Sequence, residues 1–595
     1  MTSRRKPCLI VWNHTQLQLK TRKQTLSIHN TSARTYARLN HNPLVSHAHS
    51  ALHRTKREHS LVSAVGIMVW RHNKQLRRAI SSSALLHGRQ DQRALNSLQG
   101  LTFFSRQHRL VSEGLTFFSR QHRLVSEVGQ SSRASGPGVQ RVEARAVSMV
   151  RPSEFQLQAV GPDNILRNPL PDIHIPPGLS LHQMVFDICD QFKDNLAVEE
   201  HLTGRSYTFS QLKEAIVRVA SALSSRGYRK GDVLLVFAIN NVDYNVLSIA
   251  CAAAGVWITP ANPAFTAEEL SRQLHHSEAK GLCISAPLAA IAKDAVASQE
   301  FPSNVKHLMV FGEASGFEPF QSLLDDDGKS FPDVDIDPVK DVFALPYSSG
   351  TTGFPKGVML SHHNVVANAH QTTKIMSPEP HDVCMGLPPM YHIYGLSVVQ
   401  FVSWMNGASI SLLPKFEPEM FLRYLQDRRI SVAYLVPPLV LFLAKHPLVP
   451  KFDLSSITEV FCGAAPLGEE LTRTFLEKFP NVEFVRQGYG LTETSPMTNL
   501  DATKTMGSVG HMLVNTRGKI VDPDTGHTLP SGQPGEVWVK GPQVMLGYHN
   551  NQAATDGMIT QDQWLRTGDV GYFNDDGLVF IKDRLKEIIK YKGSQ

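Results

Sequence analysis

Cysteine is scarce. The chain has six in 595 residues, at Cys8, Cys189, Cys251, Cys283, Cys384 and Cys462, and no two form a CxxC pair. This spacing excludes a disulfide scaffold, argues against a zinc knuckle and suits a reducing compartment. Long apolar runs are missing too. Leu61–Trp70 is only ten residues long, whereas a membrane-spanning helix needs roughly 18 or more, so no transmembrane segment is expected. Charged residues make up 19% of the chain and hydrophobic residues 42%, which excludes wholesale disorder and a collagen-like chain. At about 150 residues per domain the length suggests about four domain-sized units.

Acidic residues are almost absent from the first quarter. None precedes Glu58, and residues 1–150 hold 24 Lys and Arg against 5 acids, while the remainder holds 36 against 48. The net charge of +7 therefore belongs to the N-terminal quarter, and the rest, mildly acidic, gives no reason to expect nucleic-acid binding. Residues 1–148 show no sustained apolar periodicity. They contain a perfect tandem copy of fourteen residues, 100–113 repeated at 114–127, and two copies are too few for a solenoid. The expectation is a disordered or wrongly joined leader ahead of a natural start near Met149. A mitochondrial transit peptide and a basic nucleic-acid-binding tail are the other two readings.

From about Pro152 strand-length and helix-length apolar segments alternate. A helix is expected over Tyr207–Arg226, a buried strand over Asp232–Ile239 and a small-residue helix over Asn245–Trp257. Further strands are expected at Ala344–Tyr347, Val432–Leu435, Glu459–Cys462 and Glu483–Arg486. Such alternation predicts an α/β fold whose largely parallel sheets are covered on both faces. Past Gly507 short strands and Pro/Gly/Asp turns predict a smaller β-rich subdomain.

Four segments carry chemistry. The first is Ser348-Ser349-Gly350-Thr351-Thr352-Gly353-Phe354-Pro355-Lys356-Gly357, directly after an apolar strand. Glycines let backbone N–H groups approach an anion, the hydroxyls add donors, and Lys356 adds a mobile positive charge. It is a phosphate cradle but not a Walker A loop, because Pro355 stands where that loop requires Gly. The second runs from Gln487 to Pro496. Gly488 and Gly490 bracket Tyr489, Thr492 can donate to a phosphate, and Glu493 offers a hard oxygen ligand for Mg²⁺. The third, Phe461–Gly468, is a small-residue loop with room for a flat ligand. In the fourth, Trp564–Asp569 and Asp583–Glu587, Asp569 suits a ribose diol and Arg584 a sugar or phosphate. Taken singly, a tight turn at Gly488–Gly490, a strand–helix packing turn at Phe461–Gly468, and a turn Asp at Asp569 with a surface ion pair at Arg584 explain the last three as well.

In this order, and with Leu387–Leu396 between them, these segments resemble the adenylate-forming superfamily, closest to 4-coumarate–CoA ligase-like and luciferase-like enzymes. The resemblance covers about Ser153 to Gln595. It implies two doubly wound α/β subdomains and a β-rich subdomain within residues 149–582, then a hinge and the start of a C-terminal lid domain at 583–595. It implies ATP-dependent activation of a carboxylic acid to an acyl-adenylate, with Mg²⁺, and transfer to coenzyme A. A luciferase-like monooxygenase using the same adenylate, or an ATP- and acid-binding protein with little turnover, are the alternatives.

By family match Lys356, Thr492, Glu493 and His392 are catalytic. Ser348, Ser349, Gly350, Thr351, Thr352, Gly353, Gly463, Ala464, Ala465, Gly488, Tyr489, Gly490, Asp569, Arg584, Lys590 and Gln595 bind the nucleotide. His392, Tyr394, Val398 and Cys462 line the acid pocket, and Glu493 with Thr352 holds the metal. Cys462 stands where many relatives have Ser. Relatives continue for about 100 further residues, so weak adenylation without useful thioester formation is expected of a chain ending at Gln595. The resemblance implies a peroxisomal or cytosolic location, and a genuine transit peptide a mitochondrial one. No terminal Ser-Lys-Leu signal is present.

Overall fold

The computed structural model describes residues 158–348 and 355–585. The leader with its duplication, the loop core from Ser349 to Phe354, and Lys586–Gln595 lie outside the described residues.

Local rules account for most elements. In Phe209–Ser225 the side chains of Phe209, Leu212, Ile216, Val219 and Leu223 recur at helical spacing and are all buried, which is the pattern of a helix packed on one face. Thr208 and Gln211 form its capping box, so Tyr207 belongs to the preceding strand rather than to the helix. The next helix begins earlier than expected. It spans Val242–Ala253, and the Asn241 side chain caps it by accepting from the Tyr244 amide. All twelve of its residues are buried, polar Asp243, Asn245 and Ser248 included, and Trp257 opens the following strand.

Among the described residues the strands form two nine-stranded sheets and one four-stranded sheet. One large sheet is parallel from Trp257–Ala261 through Val233–Phe237 and Gly281–Ser285 to His307–Phe311. Lys356–Ser361 joins antiparallel, pairing with Val342–Ala344, Tyr347–Ser348 and Gly547–Tyr548. The other is parallel across Ser409–Leu412, Val383–Gly386, Val432–Leu435, Glu459–Cys462 and Val485–Gly490. The small sheet, Arg517–Val521, Gly535–Lys540, Leu565–Phe573 and Val579–Arg584, is wholly antiparallel. The expected α/β fold with a β-rich subdomain is the fold observed. The chain's entry also belongs to that subdomain, which the sequence reading missed: Leu166 is fully buried in its core, and its amide donates to the Gly518 carbonyl at 2.7 Å.

In open α/β sheets ligands gather beyond the carboxyl ends of parallel strands. Three such ends, after Gly386, Cys462 and Gly490, lead into the segments that carry His392, Gly463–Ala464 and Thr492–Glu493.

One buried group makes the fold acid-sensitive. His362 is fully buried, and its Nδ1 accepts from the Leu181 amide at 3.3 Å. Burial pushes its pKa down to about 3, and that of neighbouring His182 to about 4. As pH falls below about 6.5 the unfolded chain takes up a proton that the folded chain refuses. Stability present at neutral pH is then lost toward the folded values, at about 1.4 kcal/mol per pH unit for each such group. The urea midpoint should drop between pH 7 and pH 5, and drop less in His362→Gln, whose amide oxygen can still accept from Leu181. Identical pH dependence in the two proteins would contradict this account.

Candidate active site

The strand ends and the small sheet enclose a cavity of about 900 Å³. At one end, Ser348 and Lys356 are direct cross-strand partners, so the hydroxyl- and glycine-rich loop leaves and re-enters the sheet at one point. Glu493, only 6% exposed, faces them. Its Oε1 accepts from Ser348 Oγ and from Tyr548 OH, both at 2.8 Å. Burial, and then the Glu493 charge, raises the Tyr548 pKa, so the phenol stays a donor. The Lys356 ammonium lies 4.8 Å from the centre of the Tyr548 ring, a cation–π distance. Tyr347 is steadied from outside the cavity by His276 Nδ1, 2.7 Å from its hydroxyl.

At the opposite end Asp569 and Arg584 are cross-strand partners, with Nε 3.8 Å from Oδ1. Tyr489 OH donates to Asp569 Oδ2 at 2.7 Å. Burial raises the Asp569 pKa, opposed by the hydrogen bond from Tyr489 and the Arg584 charge. Between the ends Gly463, Ala464, Gly488 and Gly490 form a low wall. Ala464 holds φ +70°, a left-handed conformation uncommon outside glycine and frequent where backbone geometry serves a ligand.

The third region is built around His392. Its Nδ1 accepts from the Tyr394 amide at 3.2 Å, which places the proton of the neutral ring on Nε2. Its pKa is lowered because protein surrounds the ring, although the ring opens onto the cavity. The loop before it is clamped by buried Asn240. That side chain donates to the Gly386 and Pro388 carbonyls at 3.0 and 3.1 Å and accepts from the Met390 amide at 2.8 Å. Tyr391, Tyr394, Phe461 and Met497 complete the apolar wall.

The sequence model of the AMP-binding enzyme family matches residues 185–549. The chain belongs to the AMP-binding enzyme family. It is 38% identical over 455 residues to 4-coumarate–CoA ligase 2 of Solanum tuberosum, which covers 75% of this chain and 82% of that protein. A long-chain-fatty-acid–CoA ligase from Archaeoglobus fulgidus superimposes with a TM-score of 0.64 at 25% identity, over 70% of this chain and 86% of that one. The luciferase-like enzyme of the Zophobas morio mealworm shares the fold, with a TM-score of 0.65 at 23% identity, over 71% of this chain and all of that one.

In this AMP-binding enzyme the cavity brings together Ser348, Lys356, His392, Tyr394, Gly463, Ala464, Gly488, Gly490, Thr492, Glu493, Asp569 and Arg584. Ser349, Gly350, Thr351, Thr352, Gly353, Lys590 and Gln595 lie outside the described residues. Four expected residues do not line the cavity. Ala465 lies just past the wall, and Tyr489 acts from behind it through its hydroxyl. Val398, one turn beyond Tyr394, and Cys462 are each 1% exposed and packed in the core. Strand alternation explains Cys462: Phe461 and Gly463 face the cavity, so the thiol between them faces away, and burial pushes its pKa up to about 12. Gly488–Gly490 is not a turn either. The three residues continue a strand paired with Met497–Leu500. Sequence reasoning missed Tyr548, Asn240 and Phe461. The Gly547-Tyr548 pair ahead of a helix and the Asn240-Asn241 pair ending a strand are weak signals, but neither specifies its partner, 55 residues away for Tyr548 and 146 to 150 for Asn240.

Proposed function

We propose that the chain is an AMP-forming carboxylate–CoA ligase. The acid's carboxylate oxygen attacks the α-phosphorus of ATP, and the bond to the β-phosphate breaks with its electron pair leaving on pyrophosphate. The thiol sulfur of coenzyme A then attacks the acyl carbon, its proton is lost, and the carbon–oxygen bond to AMP breaks.

The observation that carries this reading is the placement of Ser348, Lys356 and Glu493 at one end of a cavity whose other end holds Asp569. The hydroxyl, ammonium and carboxylate of the first suit a Mg²⁺-bound polyphosphate, and the carboxylate of the second a ribose diol. Lys356 and the loop amides offset charge on the phosphates, which is what an attacking anion needs. Among the described residues no group of three His, Cys, Asp or Glu side chains could hold a metal by itself. A buried single carboxylate, Glu493, fits Mg²⁺, which commonly takes one or two carboxylates and completes its shell with substrate phosphates and water. Such an ion would offset charge on the phosphates. His392 Nε2–H, on the apolar side, is placed to donate to the acid's carboxylate. The wall of Tyr391, Tyr394, Phe461 and Met497 suits an aryl-propenoic or medium-chain aliphatic acid.

The test is acid-dependent exchange of labelled pyrophosphate into ATP across a panel of aryl-propenoic and fatty acids, with nucleotide affinity measured by titration. Lys356→Ala should weaken ATP binding roughly 10- to 100-fold, the worth of one charge-assisted hydrogen bond. Unchanged affinity in this variant, or no exchange with any acid, would remove the reading.

A further inference from the structure

Asn240 joins the two large sheets at a point that the chemistry above leaves unexplained. It follows the strand Val233–Phe237, which shares a sheet with Ser348 and Lys356, while His392 follows Val383–Gly386 of the other. On the ligase reading, one sheet therefore carries the phosphates of ATP and the other the group that meets the acid. The reacting atoms must lie about 3–3.5 Å apart and in line before the bond can form. The junction between the sheets decides whether they do.

Asn240 has the geometry to fix that junction. The side chain is 7% exposed. Its Nδ2 donates to the carbonyls of Gly386 and Pro388 while its Oδ1 accepts from the Met390 amide, and asparagine supplies donor and acceptor on one short side chain. Pro388 and Pro389 have no N–H of their own with which to pair. The base of Asn240 is held as well. The Ile239 amide donates to Ser285 Oγ at 3.1 Å, and Asn241 Nδ2 donates to the Ile239 carbonyl at 2.9 Å.

From Met390 the constraint passes to His392 through one compact bend. The His392 amide donates to the Pro389 carbonyl at 3.0 Å, and the ring accepts from the Tyr394 amide. The bend closes tightly: a Cβ on Gly395 would lie 2.3 Å from the Pro389 carbonyl oxygen. Beyond it the chain winds as a π-helix, Tyr394–Val402, a rare form that is frequent at functional sites. Gln400 of that helix accepts from Asn245 Nδ2 at 3.0 Å and donates to Ser248 Oγ at 3.3 Å. Asn245 and Ser248 lie on the helix that Asn241 caps. Both flanks of His392 are thus held by one segment of the opposite sheet.

We propose that Asn240 is a positioning residue for the adenylation step: it sets His392, and with it the acid's carboxylate, in line with the α-phosphorus held from the other sheet. This rests on the ligase reading above. Asn240 itself does not line the cavity, so it acts through His392.

The test is a double-mutant cycle on the full chain. Acid-dependent pyrophosphate exchange, and ATP affinity by titration calorimetry, are measured for the parent, Asn240→Ala, His392→Ala and the two combined, with thermal melts to confirm folding. Asn240→Ala should lower exchange at least tenfold, since a misplacement near 1 Å can cost about 100-fold, and should leave ATP affinity within threefold. In the His392→Ala background it should cost less than threefold further, because the side chain that it positions is gone. A general loosening of the fold would instead multiply the two losses. A loss below tenfold, a further loss of threefold or more in the His392→Ala background, or ATP affinity falling by more than threefold would each overturn the proposal. Should Asn240→Ala fail to fold, Asn240→Asp takes its place in the cycle with the same expected outcomes. It keeps the size and the acceptor for Met390 but sets an oxygen against the two carbonyls. No exchange by the parent with any acid removes the ligase reading and this inference with it, whereas exchange without coupling between the two positions removes this inference alone.

Discussion

Glu493→Gln should lower acid-dependent pyrophosphate exchange by about 100-fold or more, in the range that loss of one preorganised electrostatic group costs other enzymes, while the melting temperature changes little. The substitution isolates the charge. A glutamine oxygen can still accept from Ser348 Oγ and Tyr548 OH, the two bonds that Glu493 Oε1 accepts at 2.8 Å. What disappears is the only charge that this side chain offers a cation or the surrounding donors. Glu493→Ala should differ in kind, because it strands a buried phenol and adds roughly 1–3 kcal/mol of destabilisation. Exchange kinetics at several Mg²⁺ concentrations, alongside thermal melts of both variants, check this. Near-parental exchange in Glu493→Gln would show that the carboxylate merely holds the two hydroxyls.

Gly490→Ala should be the most damaging single-methyl change in the site. A Cβ there would lie 1.8 Å from the Pro496 carbonyl oxygen, 2.7 Å from its carbon and 3.0 Å from the Met497 Cα. All three are backbone atoms, so no side chain can rotate away. The strand must move off its partner, breaking the Gly490–Met497 pairing and carrying Leu491, Thr492 and Glu493 with it. Overpacking of this sort costs about 1–3 kcal/mol, and displacement of Glu493 should reduce exchange as far as removing its charge does. Gly178→Ala is the control, since a Cβ there meets nothing within 4 Å and should leave both the melt and the exchange rate unchanged. Parental behaviour of Gly490→Ala would mean that the strand end tolerates displacement without consequence for the site.

The parts of this molecule legible in the sequence are those in which chemistry and local structure share one short segment. Ser348 to Gly357 and Thr492-Glu493 each begin at or just after a strand end, Thr567–Asp569 lies within the strand Leu565–Phe573, and the residue types themselves suggest an anion or a diol. Boundaries were legible where a capping residue stands beside an apolar run and were misplaced where two competed. Val242–Ala253 starts at the Asn241 cap, three residues before the expected Asn245, because its polar first turn is buried through distant partners, Asp243 on Arg205 and Tyr207 and Asn245 on Gln400. Tyr548 could not be read as a partner of Glu493, because the contact depends on an edge strand joining a distant sheet. Asn240 escaped for the same reason, its bonds falling on carbonyls some 150 positions along the chain. Cys462 was chosen over Phe461 from its place in a motif, and only the pleat reveals which of two adjacent side chains faces the cavity.

The two ends of the cavity are built on separate frameworks. Ser348 and Lys356 belong to one large sheet, Glu493 follows the last parallel strand of the other, and Asp569 stands on the small antiparallel one. A nucleoside triphosphate held in the cavity acts as a tie-rod across all three sheets. At 100 times its dissociation constant such a ligand adds about 2.7 kcal/mol to the unfolding free energy, and the gain is shared by all three. Slackening of any one sheet should therefore show itself as weakened nucleotide retention, even when no residue touching the nucleotide has been altered.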